Sequence, residues 1–570
     1  MNATAPIRPA ATIILTRDTL LGPEVFMMRR SPNSVFMSGV YVFPGGGLDA
    51  SDDPEHWSAH ELALDDGVAS RVLALEKNGI AFWIGALREC FEESGLLLGY
   101  NDRGEILSMD DAVQVNRFAE LRRKLNAGEI TFAQICREHD IRLAVDRMAY
   151  FSHWVTPPNE KRRYDTRFFA AVAPAQQTGS HDDAETTDNT WIRPQDALDR
   201  FKRGEFALVF PTIKTLERLA QFKDTAALMA HTRALPSITP IHPHVAKAAD
   251  GSPRRLIPGD HAYAEIGKLD PEGRGNLCCD IVPGTLVQLA PSVRRLTAPN
   301  PGVMTGPGTN SYILGRSGLE DDAGDFAIVD PGPDLAVHVD ALIAATGGRI
   351  RWLLATHTHR DHSPAAALLR ARLGPAHALE FIGRHPPNEE RQDQTFGPDR
   401  VVSDGDRISV AGCSVRVIHT PGHASNQCCY LLEDEKMLFT GDHIMQGSTV
   451  VIIPPDGNMI DYMQALRKLQ GEDLQWLAPG HGYLIGTPQV AIERLIAHRL
   501  GRETKVLEAL RALGAQCAPG GADMDALVKK VYDDVPVSLH PMASRSLLAH
   551  LIKLQQEGRA GESGSRWRAT

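Results

Sequence analysis

Thr356-His357-Thr358-His359-Arg360-Asp361-His362 follows directly on the apolar run Trp352 to Ala355 and sets four potential metal ligands within six residues. A strand alternates sides with a period of two, so His357 and His359 at its C-terminal end point the same way, into one pocket. Asp361 and His362 fall where the chain turns into the apolar-periodic segment Pro364 to Leu373. That segment reads as a helix entered through Ser363-Pro364, and the turn aims the two side chains toward a second ion. Three further candidates each stand just beyond an apolar or β-branched run. Ser414 to Ile418 leads into His419-Thr420-Pro421-Gly422-His423, Lys436 to Phe439 into Thr440-Gly441-Asp442, and Leu474 to Ala478 into Pro479-Gly480-His481. A glycine beside each ligand lets the backbone turn sharply and come close, where a Cβ would hinder it. One pocket at a row of strand ends is the economical explanation.

His357, His359, Asp361, His362, His423, Asp442 and His481 together resemble the full ligand set of the metallo-β-lactamase superfamily, whose fold is an αββα sandwich. The resemblance implies that His357, His359 and His423 hold one ion, that Asp361, His362 and His481 hold another, and that Asp442 bridges them. Asp330, in Ala327-Ile328-Val329-Asp330-Pro331-Gly332, resembles a supporting aspartate of that family. Imidazole and carboxylate ligands suit two Zn ions, with Mn or Fe as alternatives by residue type. Two cations sharing one water lower its pKa toward neutrality and supply a hydroxide, so hydrolysis is the expected chemistry. Asp361 would orient that nucleophile, and no serine or cysteine nucleophile is needed.

Asp442 stands where an antibiotic-hydrolysing member would have Cys, and His359 where a flavodiiron protein would have Glu. The short run from Asp442 to His481 leaves no room for the large insert of some RNA-processing members. The closer resemblance is to the endoribonuclease and thioesterase-like branch with a C-terminal winged helix. It rests on Asn300-Pro301-Gly302, Gly308-Thr309-Asn310-Ser311-Tyr312, Gly447-Ser448-Thr449-Val450 and Asp461-Tyr462-Met463. Helical patterns at Ala491 to Leu513, Met524 to Tyr532 and Pro541 to Gln556, the last stopped by Gly558, read as the winged-helix-like cap. Its charge is nearly balanced, which favours packing or homodimerisation over phosphate binding.

A second signature lies upstream. Arg88-Glu89-Cys90-Phe91-Glu92-Glu93-Ser94-Gly95-Leu96 sits in a helical run starting near Phe82 and places Glu89, Glu92 and Glu93 at i, i+3 and i+4. Like charges so spaced destabilise a bare helix, and their clustering suits a hard cation such as Mg. The run resembles the second half of the Nudix box, and Phe43-Pro44-Gly45-Gly46-Gly47 resembles its opening loop. The family implies an α/β/α sandwich and Mg- or Mn-assisted cleavage of a nucleoside diphosphate linked to another group. Glu89, Glu92 and Glu93 would hold the metal, Glu89 and Glu93 would also be catalytic, and Gly45, Gly46, Arg88 and the loop carboxylate Glu185 would face substrate. The box is split: a long insertion separates glycines from helix, and Asp52 rather than Glu falls at the first acidic position. That split resembles Nudix enzymes related to coenzyme A diphosphatases of organelles. Supporting stretches are Phe36-Met37-Ser38-Gly39, Trp154-Val155-Thr156-Pro157-Pro158 and Arg162 to Phe169, with Leu208 to Thr212 opening the domain's last helix.

A chain of 570 residues with 43% hydrophobic content is long for one core and ample for several. The expected organisation is α/β and α+β multidomain. It comprises a Nudix domain over 8–225, a linker or strap over 226–282 and a metallo-β-lactamase domain over 283–490, then a winged-helix-like domain over 491–560 and a flexible tail over 561–570 in the Gly/Ser-rich stretch after Gly558. A formal charge of −11, from 60 basic and 71 acidic residues, excludes general polyanion attraction as the design. Eight scattered cysteines without CxxC spacing read as reduced thiols. No basic region precedes a long apolar core, and no apolar run reaches the ~18 residues of a membrane span, so a cytoplasmic protein without membrane association is expected. The functional expectation is a bifunctional metal-dependent hydrolase. Its second half would hydrolyse an ester, a thioester such as an acyl-coenzyme A or glutathione adduct, or a phosphodiester through a metal-bound hydroxide, and its first a nucleoside diphosphate-linked, coenzyme A-type pyrophosphate. The alternatives are an endoribonuclease on single-stranded RNA with a non-catalytic Nudix module, and purely structural metal sites. The last fits poorly, because structural zinc sites are closed and do not keep two ions around one water.

Overall fold

The computed structural model describes residues 5–31, 39–58, 60–109, 111–179, 186–315, 324–516 and 521–570. The chain divides into two compact units, one built mainly of residues up to Val245 and the other mainly of residues from Asn276 onward.

The first unit is organised by the strand Ile7–Thr19, which pairs in parallel with Arg163–Val172 and antiparallel with Gly22–Arg30 and Gly45–Gly47. Strict alternation along these strands gives the sheet two apolar faces. Ala11, Ile13, Leu15 and Phe169 pack beneath the helix Ile80–Ser94. Ile14, Phe168 and Ala170 face the other way, with residues of the helices Pro194–Lys202, Phe210–Leu219 and Thr225–Arg233. This is an α/β/α sandwich. The insertion that splits the box folds into 3-10 turns at Ala50–Asp52 and Pro54–His56 and a short helix, Asp66–Val72. It also caps its neighbour: Asp66 accepts the Ile80 amide at 3.0 Å and Ser70 Oγ accepts the Gly79 amide at 2.8 Å, which satisfies donors that Gly79 lacks a side chain to cap. Gly95, at φ 72°, ends the helix in the left-handed conformation.

The second unit stacks a seven-stranded sheet on a five-stranded one. Their inner faces supply one core, containing Tyr312, Val329, Leu354, Val415, Tyr430 and Phe439. Two outer cores contain residues of the helices Ala336–Thr346 and Ala365–Leu373 on one side and Met459–Leu469 on the other, giving four layers, αββα. The helices Pro488–Gln516, Met524–Val531 and His540–Gln556 follow.

Two stretches differ from the sequence-based expectation. The flexible tail expected over 561–570 is part of an antiparallel hairpin, Ala560–Ser563 with Arg566–Ala569, in which Trp567 is buried and bridges Ala522. The Gly and Ser content suggested a tail, yet Gly564 at φ 65° serves the turn and the one large apolar side chain supplies the core contact. Within 226–282 the helix Tyr263–Leu269 belongs to the second unit. There Glu265 forms a buried two-bond ion pair with Arg295 at 2.7 and 2.8 Å and accepts the Leu484 amide, so this part is a fixed element rather than a free linker. No described helix is long and apolar enough to cross a membrane.

Candidate active sites

In the second unit all seven side chains meet at one set of strand ends. His357 and His359 follow the strand Ile350–Leu354, His423 follows Cys413–His419, Asp442 follows Met437–Gly441, and His481 follows Trp476–Pro479. Parallel and antiparallel neighbours bring those ends side by side, so residues dispersed in sequence become adjacent in space. His359 Nδ1 lies 2.9 Å from His357 Nε2 and 3.0 Å from His423 Nε2. His481 Nε2 lies 3.3 Å from Asp361 Oδ2, and His362 Nε2 lies 3.5 Å from that same oxygen. Asp442 stands between the groups, with Oδ1 3.4 Å from His362 and 3.3 Å from His481, and Oδ2 3.8 Å from His423.

Neighbouring groups fix the orientation of these side chains. Asp330 accepts the Thr356 amide at 2.7 Å and its hydroxyl at 2.8 Å, and it lies 2.9 Å from His362 Nδ1. It thereby turns His362 Nε2 inward. His423 Nδ1 meets the Val451 carbonyl at 2.9 Å and His481 Nδ1 the Gly308 carbonyl at 3.2 Å, so both present Nε2 to the centre. Glycine is required at two positions. A Cβ on Gly480 would lie 2.7 Å from both Asp442 Oδ1 and His362 Cε1, and one on Gly441, at φ 48°, 2.3 Å from Thr356 Oγ1.

The electrostatics divide the cluster in two. Burial, reinforced by neighbouring imidazoles, holds His357 well below its ordinary pKa and His359 at about 3, and burial lowers His423 as well. Three neutral rings therefore offer lone pairs to one point. Burial opposes charge on His362 and His481 too, yet the adjacent aspartates win, raising His362 well above its usual range and His481 to about 10. Against burial, those imidazoles hold Asp442 well below the carboxylate range and Asp361 at about 2. The aspartates thus favour positive charge at the position where a cation would act. Among the described residues, His362 Nε2 and Asp442 Oδ1 are buried without a hydrogen-bond partner. Donor atoms of His357, His359 and His423, of His357, His362 and Asp442, and of Asp361, His362 and His481 form three groups, each lying within 4.8 Å of one another. This donor set fits divalent metal ions.

In the first unit the interrupted box closes in space. Arg88 Nε and Nη2 donate to the two oxygens of Asp52, both at 2.9 Å, and Nη1 reaches Glu89 at 3.0 Å and Glu92 at 2.8 Å. Asp52 therefore pairs with Arg88 across the insertion. Burial alone would lower the guanidinium, but these carboxylates hold it above its ordinary value. Burial pushes Glu89 up to about 7 and raises Glu92. Glu93 Oε2 accepts the Gly45 amide at 2.9 Å, and a Cβ on Gly46 would lie 2.6 Å from the Glu89 carboxylate. The loop glycines are thus pressed against the carboxylate helix. Among the described residues no three of these carboxylates form a converged group like those of the second unit. Glu185 and Phe36-Met37-Ser38 lie outside the described residues.

Three family models match the chain: the NUDT19 Nudix domain over residues 64–219, the Metallo-beta-lactamase superfamily over 304–481, and the Beta-lactamase associated winged helix domain over 524–567. The beta-lactamase-like protein 2 homolog of Drosophila melanogaster is 30% identical over 285 residues, 49% of this chain and 93% of that protein. The chain belongs to the metallo-beta-lactamase superfamily. It also carries a Nudix domain of the NUDT19 type and a winged helix, and it is a hydrolase. The atrochrysone carboxyl ACP thioesterase dmxR1 of Cryptosporiopsis sp. is 30% identical over 300 residues, 49% of this chain and 85% of its own length. A solved NUDIX hydrolase from Alicyclobacillus acidocaldarius is 29% identical, with a TM-score of 0.34, spanning 42% of this chain and 100% of that one.

A cavity of about 650 Å³ opens onto the metallo-beta-lactamase cluster at His359, Asp361, His423, Asp442 and His481. Its walls include residues that sequence reading did not assign to the site: Met304, Arg391, Ile453, and Met542 and Arg545 of the winged helix. Thr356 and Thr309 are further additions, the second placing its hydroxyl 3.3 Å from Asp361 Oδ2. Thr309 lies within a stretch that carried the family resemblance, whereas nothing local to Arg545 marks it.

Proposed function

We propose that the chain is a bifunctional metallohydrolase. Its metallo-beta-lactamase domain would hydrolyse an acyl thioester, and its Nudix domain would cleave a nucleoside diphosphate-linked, coenzyme A-type pyrophosphate. The observation that carries the first activity is Asp442, one oxygen turned to His362 and His481 and the other to His423. Two zinc ions would be held by His357, His359 and His423 and by Asp361, His362 and His481, with Asp442 shared. They would supply a water ionised at neutral pH and polarise the group under attack. Asp361 Oδ2, steadied by the Thr309 hydroxyl, faces the same space and is the group that would orient the water and take its proton. Support for a thioester comes from relatives named as ACP thioesterases.

The Nudix reading rests on the Asp52–Arg88 pair and on the loop glycines pressed against Glu89 and Glu93. A magnesium or manganese ion on Glu89, Glu92 and Glu93 would neutralise the diphosphate, while Arg88 holds the carboxylates in position. The test is a substrate panel of acyl thioesters, nucleoside diphosphate derivatives and short RNA, run on the wild type, Asp442→Ala and Glu93→Gln. Asp442→Ala should abolish thioester turnover alone and Glu93→Gln pyrophosphate turnover alone. RNA cleavage lost with Asp442→Ala, without thioester turnover in the wild type, would replace this reading by the endoribonuclease one.

A further inference from the structure

The cavity over the metallo-beta-lactamase cluster has three kinds of wall. One is the histidine and aspartate cluster itself. A second is apolar, formed by Met304, Val451, Ile453, Pro454 and Met542. The third is charged, with Arg360, Arg391 and Arg545 beside Glu389 and Glu390.

These arginines are not equivalent. Arg391 is committed to Glu389, Nε to Oε1 at 2.7 Å, and Arg360 donates to the Glu390 carbonyl at 2.9 Å. No hydrogen bond or ion pair engages Arg545 among the described residues, and its side chain is exposed. It stands three residues after Met542 on the helix His540–Gln556, so the two share a helix face and reach the cavity together. A guanidinium left without a partner beside a catalytic cavity presents a planar fork of donors matched to phosphate or carboxylate oxygens. The apolar wall is an independent feature of the same cavity. An occupant that satisfies both the apolar wall and the unengaged Arg545 guanidinium has an apolar segment and an anionic one, with the bond to be cleaved between them.

We propose that Arg545 is a specificity-determining residue of the metallo-beta-lactamase site, holding the phosphate-bearing part of an acyl thioester whose acyl chain lies along Met304, Ile453 and Met542. On this account the winged helix supplies part of the substrate pocket. The inference rests on the thioester reading of the metal site given above.

The experiment compares two thioesters of one medium-chain acyl group, one on coenzyme A, which carries phosphates, and one on N-acetylcysteamine, which is neutral. Each is assayed with the full-length wild type, Arg545→Gln, Arg545→Lys and Asp442→Ala, all loaded with zinc. Arg545→Gln should raise KM for the coenzyme A thioester roughly tenfold or more relative to its effect on the neutral one, with kcat nearly constant. Arg545→Lys should recover most of that difference, because it keeps the charge and loses only the fork. Equal losses on the two substrates, or no loss on either, would overturn the role given to Arg545 while leaving the thioester reading in place. If the wild type turned over neither thioester, that reading and this inference would both fall. If Arg545→Gln weakened cleavage of a short single-stranded RNA instead, the side chain would be a phosphodiester contact and the proposal would be wrong.

Discussion

Replacing Asp52 by Ala should loosen the Nudix helix although the two segments lie far apart in sequence. Asp52 is 1% exposed and Arg88 6%, and they share two bonds of 2.9 Å. Removing one partner of a buried pair costs about 3–5 kcal/mol, chiefly because the other charge is left uncompensated. Here Arg88 keeps Glu89, Glu92 and the Gly47 carbonyl, all within 3.0 Å, so the lower end applies, about 3 kcal/mol. At about 1.4 kcal/mol per factor of ten, amide exchange across residues 80–94 should quicken roughly 150-fold wherever it proceeds through an opening that breaks the pair. Hydrogen exchange with mass spectrometry on the full chain reads this directly, and the peptides of the second unit serve as internal controls. Asp52→Asn, which keeps one acceptor oxygen, should fall between wild type and Asp52→Ala. Acceleration of less than fivefold in those peptides, or equal acceleration in both units, would refute the claim that the pair closes the interrupted box.

Glu89 gives a pH dependence with a definite sign. Its carboxyl is raised from 4.5 to about 7, so between those values the folded state holds a proton that the unfolded state has lost. In metal-free protein the Nudix transition in urea should therefore weaken as pH rises from about 4.5 through about 7, and Glu89→Gln should flatten that slope. Gly480→Ala should displace Asp442 and His362, because its Cβ would lie 2.7 Å from each. The expected outcome is loss of metal bound by the second unit with the proposed pyrophosphatase activity unchanged, checked by metal analysis and a pyrophosphatase assay. Trp567→Ala should destabilise the C-terminal hairpin and the helices beneath it by about 3–5 kcal/mol, the usual cost of deleting a buried tryptophan, read as faster exchange across residues 524–567.

The histidine and aspartate cluster was legible in sequence because strand periodicity marks His357 and His359 and glycine turns mark His423, Asp442 and His481. Each of His357, His359, His423, Asp442 and His481 sits at the end of an apolar run, and the fold brings those ends into register. The partners of these ligands left less trace. Thr356 stands inside the motif, yet its bonds to Asp330 depend on two parallel strands meeting in the right register. The Asp52–Arg88 pair was legible only as a departure, since the insertion hides in sequence what a shared turn and helix restore in space. Arg545 gave no signal, because its placement follows from how a later helix packs, and helix packing is decided by side chains far from the residue concerned. The C-terminal hairpin was misread on composition: one tryptophan outweighs several glycines and serines when it has a core to enter.

The most direct test of the central claim is the number of metal ions per chain. Protein purified without chelator, reconstituted with zinc and freed of excess by gel filtration should carry close to two ions outside the Nudix site. Asp442→Ala should lose at least one of them, since its carboxylate faces both groups. Fewer than one ion in the wild type, or two retained undiminished in Asp442→Ala, would contradict the account.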